Sequence, residues 1–241
     1  MTNNTFTKFV LAASFFLIPL TIIAEPTLEE IVVSARKVDE NLQDVPIAMS
    51  VFTSSDIEDA GIQRPEDFIA LTPNVVMANT VNVGDTLVTI RGLTSTRDAE
   101  SNFAFVVDGV LQTNPNAFNR ELLDIAQIEV LKGPQGALYG RNATSGAILI
   151  TTKAPSEESE STAVVGLGVN DTTKLQFVNS GKMGDNIYTR FSISTRETDG
   201  EHTNLYSGSN NVDFFEDTTI RTRFLVDNGD SSWDLRAGIS E

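Results

Sequence analysis

The sequence predicts an α+β domain followed by antiparallel β-strands of the transmembrane kind. Three observations carry this reading. Between Gln43 and Pro155, two short helix signals lie among β-branched and aromatic runs separated by turn residues. After Pro155 the pattern changes to segments in which apolar and polar residues alternate. Ahead of both, an apolar run from Phe9 to Ala24 follows a lone Lys8 and ends on a small residue before Glu25, the layout of a secretory signal peptide.

Residues 1–24 are thus expected to be removed after Ala24, leaving an exported chain that begins near Glu25. The alternative is an uncleaved anchor, for which the run is short against a span of ~20 residues and is interrupted by Pro19. Residues 25–42 follow. Their core, "EPTLEEIVVSARKVDEN", is charged apart from Ile31-Val32-Val33. A run that short cannot bury itself, so it forms either a first strand or a docking peptide.

Residues 43–155 read as one domain. "VPIAMSVFT" is strand-like; "SSDIEDAG" and "RPEDFIALTP" are short helices with Ser and Pro/Glu starts, stopped at Gly61 and Pro73. The pieces "NVVMA", "TLVTIRG", "NFAFVVDGV", "AQIEVLKG" and "SGAILITTK" are strands.

Residues 156–241 open on the acidic hinge "SEESES". In "NIYTRFSISTR", Ile187, Phe191 and Ile193 share one face, and Arg190, Ser192 and Ser194 the other. "TTIRTRFLVD" sets Ile220, Phe224 and Val226 against Arg221 and Arg223; "SWDLRAGIS" sets Trp233, Leu235 and Ile239 against Asp234 and Arg236. A soluble sandwich alternates too. Repeated arginine on the polar face suits a wet lumen with the apolar face in lipid. If the strand from Ala163 runs outward, the short links after the second and fourth strands fall on the periplasmic side while the long polar one, Glu197 to Asp217, falls outside, as transmembrane barrels require. Trp233, just past a short link, suits the membrane interface.

Composition excludes much else. The 241 residues carry 17 Lys+Arg against 33 Asp+Glu, a net charge of −16, so the chain repels phosphates and nucleic acid is not an expected partner. With no cysteine and a single histidine, His202, thiol nucleophiles, disulfides and His-rich zinc sites are ruled out. No carboxylate pair or Ser/His spacing suggests catalysis. No catalytic residue, metal site or cofactor is assigned, and an enzyme is not expected.

The densest signal is "IEVLKGPQGALYGRNATSGAILITTKAP", Ile128 to Pro155. A phosphate loop would need Lys-Ser/Thr after its last glycine, and the dinucleotide G-x-G-x-x-G and the G-x-S-x-G elbow are both absent. Backbone geometry remains: the glycines permit positive φ and close approach while two strands fold back together.

This stretch resembles the end of the plug domain of TonB-dependent outer-membrane receptors. "DVPIAMSVFTSSDI", "IRG" at Ile90 to Gly92 and "FVVDGV" at Phe105 to Val110 follow the family's order, and "LEEIVVSA" at Leu28 to Ala35 is similar to its TonB box. Glu30 stands where many members have Thr, which leaves the register of the box open. The resemblance implies a plug inside a 22-stranded barrel of which this chain holds about five strands. It implies coupling to the inner-membrane TonB complex through Leu28, Glu29, Glu30, Ile31, Val32 and Val33 by β-strand addition. Arg91, Gly92, Lys132, Gly133, Pro134, Gly136 and Gly140 would face the barrel wall.

The function implied is energised uptake of a scarce ligand across the outer membrane, a ferric siderophore first, with cobalamin, haem or an oligosaccharide as alternatives. Partners would be TonB, the ligand and outer-membrane lipid. A plug-only periplasmic binding or signalling protein is the other class, disfavoured by strands that a free plug does not need. Closing a 22-stranded barrel at roughly 16 residues per strand would take ~270 further residues after Glu241. The chain is therefore expected to be an incomplete receptor, with a plug able to fold alone.

Overall fold

The computed structural model describes residues 30–79, 86–96, 100–114, 117–200, 202–209 and 212–241. The expected signal peptide, Leu28 and Glu29 lie outside them. Glu30 and Ile31 group with the N-terminal unit, and Val32 to Glu241 form the other.

Strand β1 (Val32–Val33) pairs antiparallel with β2 (Glu40–Asn41). The strand reading of this segment holds: it is a minimal strand. Next comes β3 (Met49–Thr53), which runs directly into helix α1 (Ser54–Asp59). Thr53 caps that helix: its hydroxyl accepts from the Asp56 amide while the Asp56 carboxylate accepts from the Thr53 amide, a reciprocal capping box. Helix α2 (Pro65–Ala70) begins on proline, whose missing N–H costs nothing in the first turn.

Strands β4 (Val75–Asn79), β5 (Thr86–Ile90) and β6 (Leu93–Thr94) make a small antiparallel sheet. Then follow β7 (Phe103–Val107), β8 (Val110–Leu111), β9 (Ile125–Lys132), the single-turn α3 (Gly136–Tyr139) and β10 (Gly146–Thr152). The main sheet has the order β3-β9-β10-β7-β8, antiparallel except for the β10–β7 pair.

The alternation of β9 divides the core. Ile128 and Val130 point into a cluster with Phe68, Ile90, Phe105 and Ile148, against the helices and the small sheet. Leu131 points the other way, to Ala35, Ala104, Ala143, Ala147 and Leu149. Three glycines of the dense motif are dictated by geometry, Gly140 by its φ of +74°. Gly133 has φ +109°, and a Cβ on Gly146 would run into the Leu131 carbonyl oxygen. Gly136 has neither constraint.

The second half is a five-stranded antiparallel meander: β11 (Glu160–Leu167), β12 (Thr173–Lys182), β13 (Ile187–Thr198), β14 (Phe215–Asp227) and β15 (Ser232–Ser240). Asn170 and Asp171, both at positive φ, turn β11 into β12 with the twist that suits a hairpin. The sheet is inside out. Its polar set, Ser180, Arg190, Ser192, Ser194, Asp217 and Thr219, is buried, whereas Leu167, Phe177, Trp233, Leu235 and Ile239 are exposed. The buried face lies against the plug, so the arginines expected in a wet lumen are packed on protein instead. The architecture is an α+β plug followed by antiparallel transmembrane strands that remain an open sheet.

Candidate functional site: the docked N-terminal segment and the plug–wall seam

Two regions carry the unusual chemistry. The first is where β1 meets the plug. Val33 and Ala35 are buried and Val32 is 49% exposed. The Gln127 amide donates to the Val32 carbonyl at 3.0 Å. Glu129 Oε1 accepts from the Ser34 amide at 3.1 Å and from its hydroxyl at 3.2 Å. The Tyr139 hydroxyl donates to the Ala35 carbonyl at 2.8 Å. Thus β9 and the turn of the glycine motif jointly hold the segment down.

Glu129 is only 2% exposed. Burial pushes its carboxyl above the usual glutamate range, against the pull of its bonds to Ser34. Burial and the nearby Glu129 charge likewise push the Tyr139 phenol up to about 12, so it remains a hydrogen-bond donor at any physiological pH.

The second region is the seam between plug and wall. Asp124, which precedes β9, takes a fork from Arg190: Nε to Oδ2 at 2.6 Å and Nη2 to Oδ1 at 2.7 Å. Ser192 Oγ adds a third bond at 2.6 Å, and Arg190 Nη1 reaches Glu160. Arg190 and Asp124 are each 8% exposed at the side chain. Nearby, Arg221 donates to the Leu123 carbonyl at 2.7 Å, and Arg223 to the Thr152 and Lys153 carbonyls at 3.3 and 3.2 Å. Arg236 contacts both the carbonyl and the carboxylate of Asp108, and Lys174 pairs with buried Glu121. The plug thus meets the wall through charge-assisted bonds, the strong kind.

The residues predicted from sequence fall differently. Val32 and Val33 are in the docked segment; Glu30 and Ile31 precede it without regular structure. Arg91 and Gly92 form the tight, exposed turn between β5 and β6, both at positive φ. Lys132 lies close to Arg91; burial and that neighbouring positive charge hold its ammonium below the usual lysine range. Gly133 is buried, with Pro134, Gly136 and Gly140 exposed on the loop after it. The structure thus brings Arg91, Lys132 and Gly133 together. It gives none of this set a hydrogen bond or ion pair to the five wall strands among the described residues. The bonds that join plug and wall go through residues that sequence reasoning missed. The signal was present in the arginines of the polar face, but not the identity of what they face.

A polar-faced, open five-stranded sheet seated on a compact α+β core is the arrangement of a plug against part of a barrel wall. Residues 41–147 match the family "TonB-dependent Receptor Plug Domain", and the chain is similar to TonB-dependent receptors over that domain and the strands after it. The pesticin receptor of Yersinia enterocolitica is 25% identical over 213 residues, 88% of this chain and 31% of that protein. The vitamin B12 transporter BtuB of Vibrio vulnificus is 26% identical over 200 residues, 80% of this chain and 32% of that protein. Among solved structures, the ferric yersiniabactin uptake receptor FyuA from Yersinia pestis superposes with a TM-score of 0.74 at 24% identity, over 80% of this chain and 31% of that one. The chain spans about a third of the length of the curated relatives it matches.

Proposed function

We propose that this chain carries the plug and first wall strands of an outer-membrane receptor for energised uptake of a ferric siderophore. The observation that carries the receptor reading is the inside-out sheet seated on the plug by buried charge pairs, a wall with lipid on one side and protein on the other. The siderophore is supported by similar solved structures described as receptors for ferric yersiniabactin and for ferripyoverdine. Cobalamin is the second reading, favoured by the B12 transporters among the relatives, one of them 31% identical over 169 residues.

The segment Leu28 to Val33 couples the receptor to TonB by β-strand addition, in which main-chain bonds supply affinity. Support comes from its short β-branched run, Ile31-Val32-Val33, and from Val32 lying partly open at the plug surface. Arg91 and Lys132, two adjacent cations without an acidic partner among the described residues, are contacts to the wall together with the loop from Gly133 to Gly140. Residues 1–24 act as an export signal.

The test is binding of a panel of ferric siderophores, and of cobalamin, to the purified receptor. It is paired with growth of a deletion strain on each ligand under iron or methionine limitation. Ferric-siderophore binding with iron-limited growth restored by the intact gene is the expected result. Saturable binding of cobalamin alone would transfer the assignment to the second reading.

A further inference from the structure

Main-chain groups of alternate residues share one edge of an extended strand. The Val32 carbonyl and the Ser34 amide therefore line one edge of β1, while Val33 turns to the opposite edge, where Glu40 of β2 is its partner. The β2 edge is satisfied by main chain. The other is met by two side chains: Gln127 Nε2 donates to Val32 O, and Glu129 Oε1 accepts from Ser34 N. Gln127 and Glu129 are two apart on β9, so they project from the same face, one offering a donor and the other an acceptor. A neighbouring strand would present that same alternation.

We propose that Gln127 and Glu129 are a stand-in strand: they occupy the edge of Val32–Ser34 on which the extended TonB segment adds, and must be displaced before coupling. The inference rests on the coupling reading above and specifies which edge is used and what guards it. Opening the β2 edge instead would undo the Val32↔Asn41 and Val33↔Glu40 pairing, the Lys37-to-Ser34 turn bond and the Arg36–Glu40 ion pair. Opening the Gln127/Glu129 edge breaks side-chain bonds only. The clasp is also held under load. Glu129 Oε2 is buried without a hydrogen-bond partner, and burial disfavours its charge, a cost that admitting water on opening relieves. Gln127 and Glu129 are thus positioning residues for the coupling segment.

The test measures two quantities on the receptor in detergent: hydrogen exchange of the Ser34 amide, and affinity for the purified periplasmic domain of TonB. Gln127→Ala and Glu129→Ala are compared with the parent. Gln127 is half-exposed, so its variant keeps the test standing if the buried substitution fails to fold. Losing one net hydrogen bond should raise the open population about threefold to tenfold. Exchange should quicken and TonB affinity should tighten by that same factor, because both draw on one open state. Faster exchange with unchanged or weaker TonB binding would overturn the stand-in strand while leaving coupling intact. Unchanged exchange in Gln127→Ala would overturn it as well. If neither parent nor variants bind TonB, the coupling reading falls and takes this inference with it.

Discussion

Arg190 shows how much one side chain can be asked to do in this wall. Its guanidinium fork is matched to Asp124, a residue at φ +56°, and its remaining arm reaches Glu160. Replacing it with methionine leaves the Asp124 carboxylate buried with Ser192 as its remaining side-chain hydrogen-bond donor among the described residues. Breaking such a pair from one side costs about 3–5 kcal/mol, so Arg190→Met should lower the unfolding midpoint and open the plug seam to protease. Arg190→Lys keeps the charge but loses the fork and should fall in between; equal stability of all three would refute the clamp. Glu129 gives a pH prediction. Because its folded carboxyl lies above the unfolded value, the folded state binds the proton more tightly. Its contribution is fully present below the unfolded pKa near 4.5 and is lost as pH rises through the folded one. Glu129→Gln should flatten that limb of the stability–pH curve. A carboxyl titration by NMR showing Glu129 at or below the ordinary value would overturn this.

At the scale of elements, β11 to β15 were legible because alternation across a strand shows directly in residue types, and α1 and α2 because their start and stop signals are local. What alternation cannot say is what faces the polar side: Arg190, Arg221 and Arg223 read as lumen-lining until Asp124, Leu123 and Thr152 are seen opposite them. These pairs are 66 to 98 residues apart in sequence, and no local pattern encodes such a distance. The clasp left a faint trace, a glutamate in the middle of the apolar run "IEVL", which only an internal partner can justify. The same element supplies a prediction. Val32 has its main-chain groups on the edge that Gln127 and Glu129 guard, so Val32→Pro removes an N–H there and spares the β2 edge. Energy-dependent uptake should be abolished with ligand binding intact, whereas Val32→Thr should be nearly silent. Loss of ligand binding as well would mean the segment serves the fold rather than coupling.

Over the whole molecule the chain has two kinds of interior. The plug buries aliphatic and aromatic side chains on both faces of its main sheet, while the meander buries serine, threonine and arginine and turns leucine, phenylalanine and tryptophan outward. In water the second arrangement loses the hydrophobic contribution that burying those residues would make; in a bilayer it gains it. The strongest global test therefore places the same charge on either side of one strand. Phe177, mid-strand in β12 and 42% exposed, faces outward between Ala163 and Ile193. Its neighbour Gln176 faces the plug, on an open cleft of about 590 Å³ that Glu58, Asp124 and Glu160 also line. An arginine on the lipid face near the bilayer midplane costs about 2–4 kcal/mol, whereas lumen-side substitutions are tolerated. Phe177→Arg should therefore impair folding of the receptor into lipid vesicles by that amount. Gln176→Arg, in a polar cleft lined by three carboxylates and by Lys153, Lys174 and Arg190, stays out of lipid and should insert nearly as well as the parent. The two variants should differ little when the receptor is held in a zwitterionic detergent whose micelle adapts around a single charge. Equal impairment by both in vesicles would show that the exposed apolar face does not meet lipid, and with it the barrel reading of the entire second half would fail.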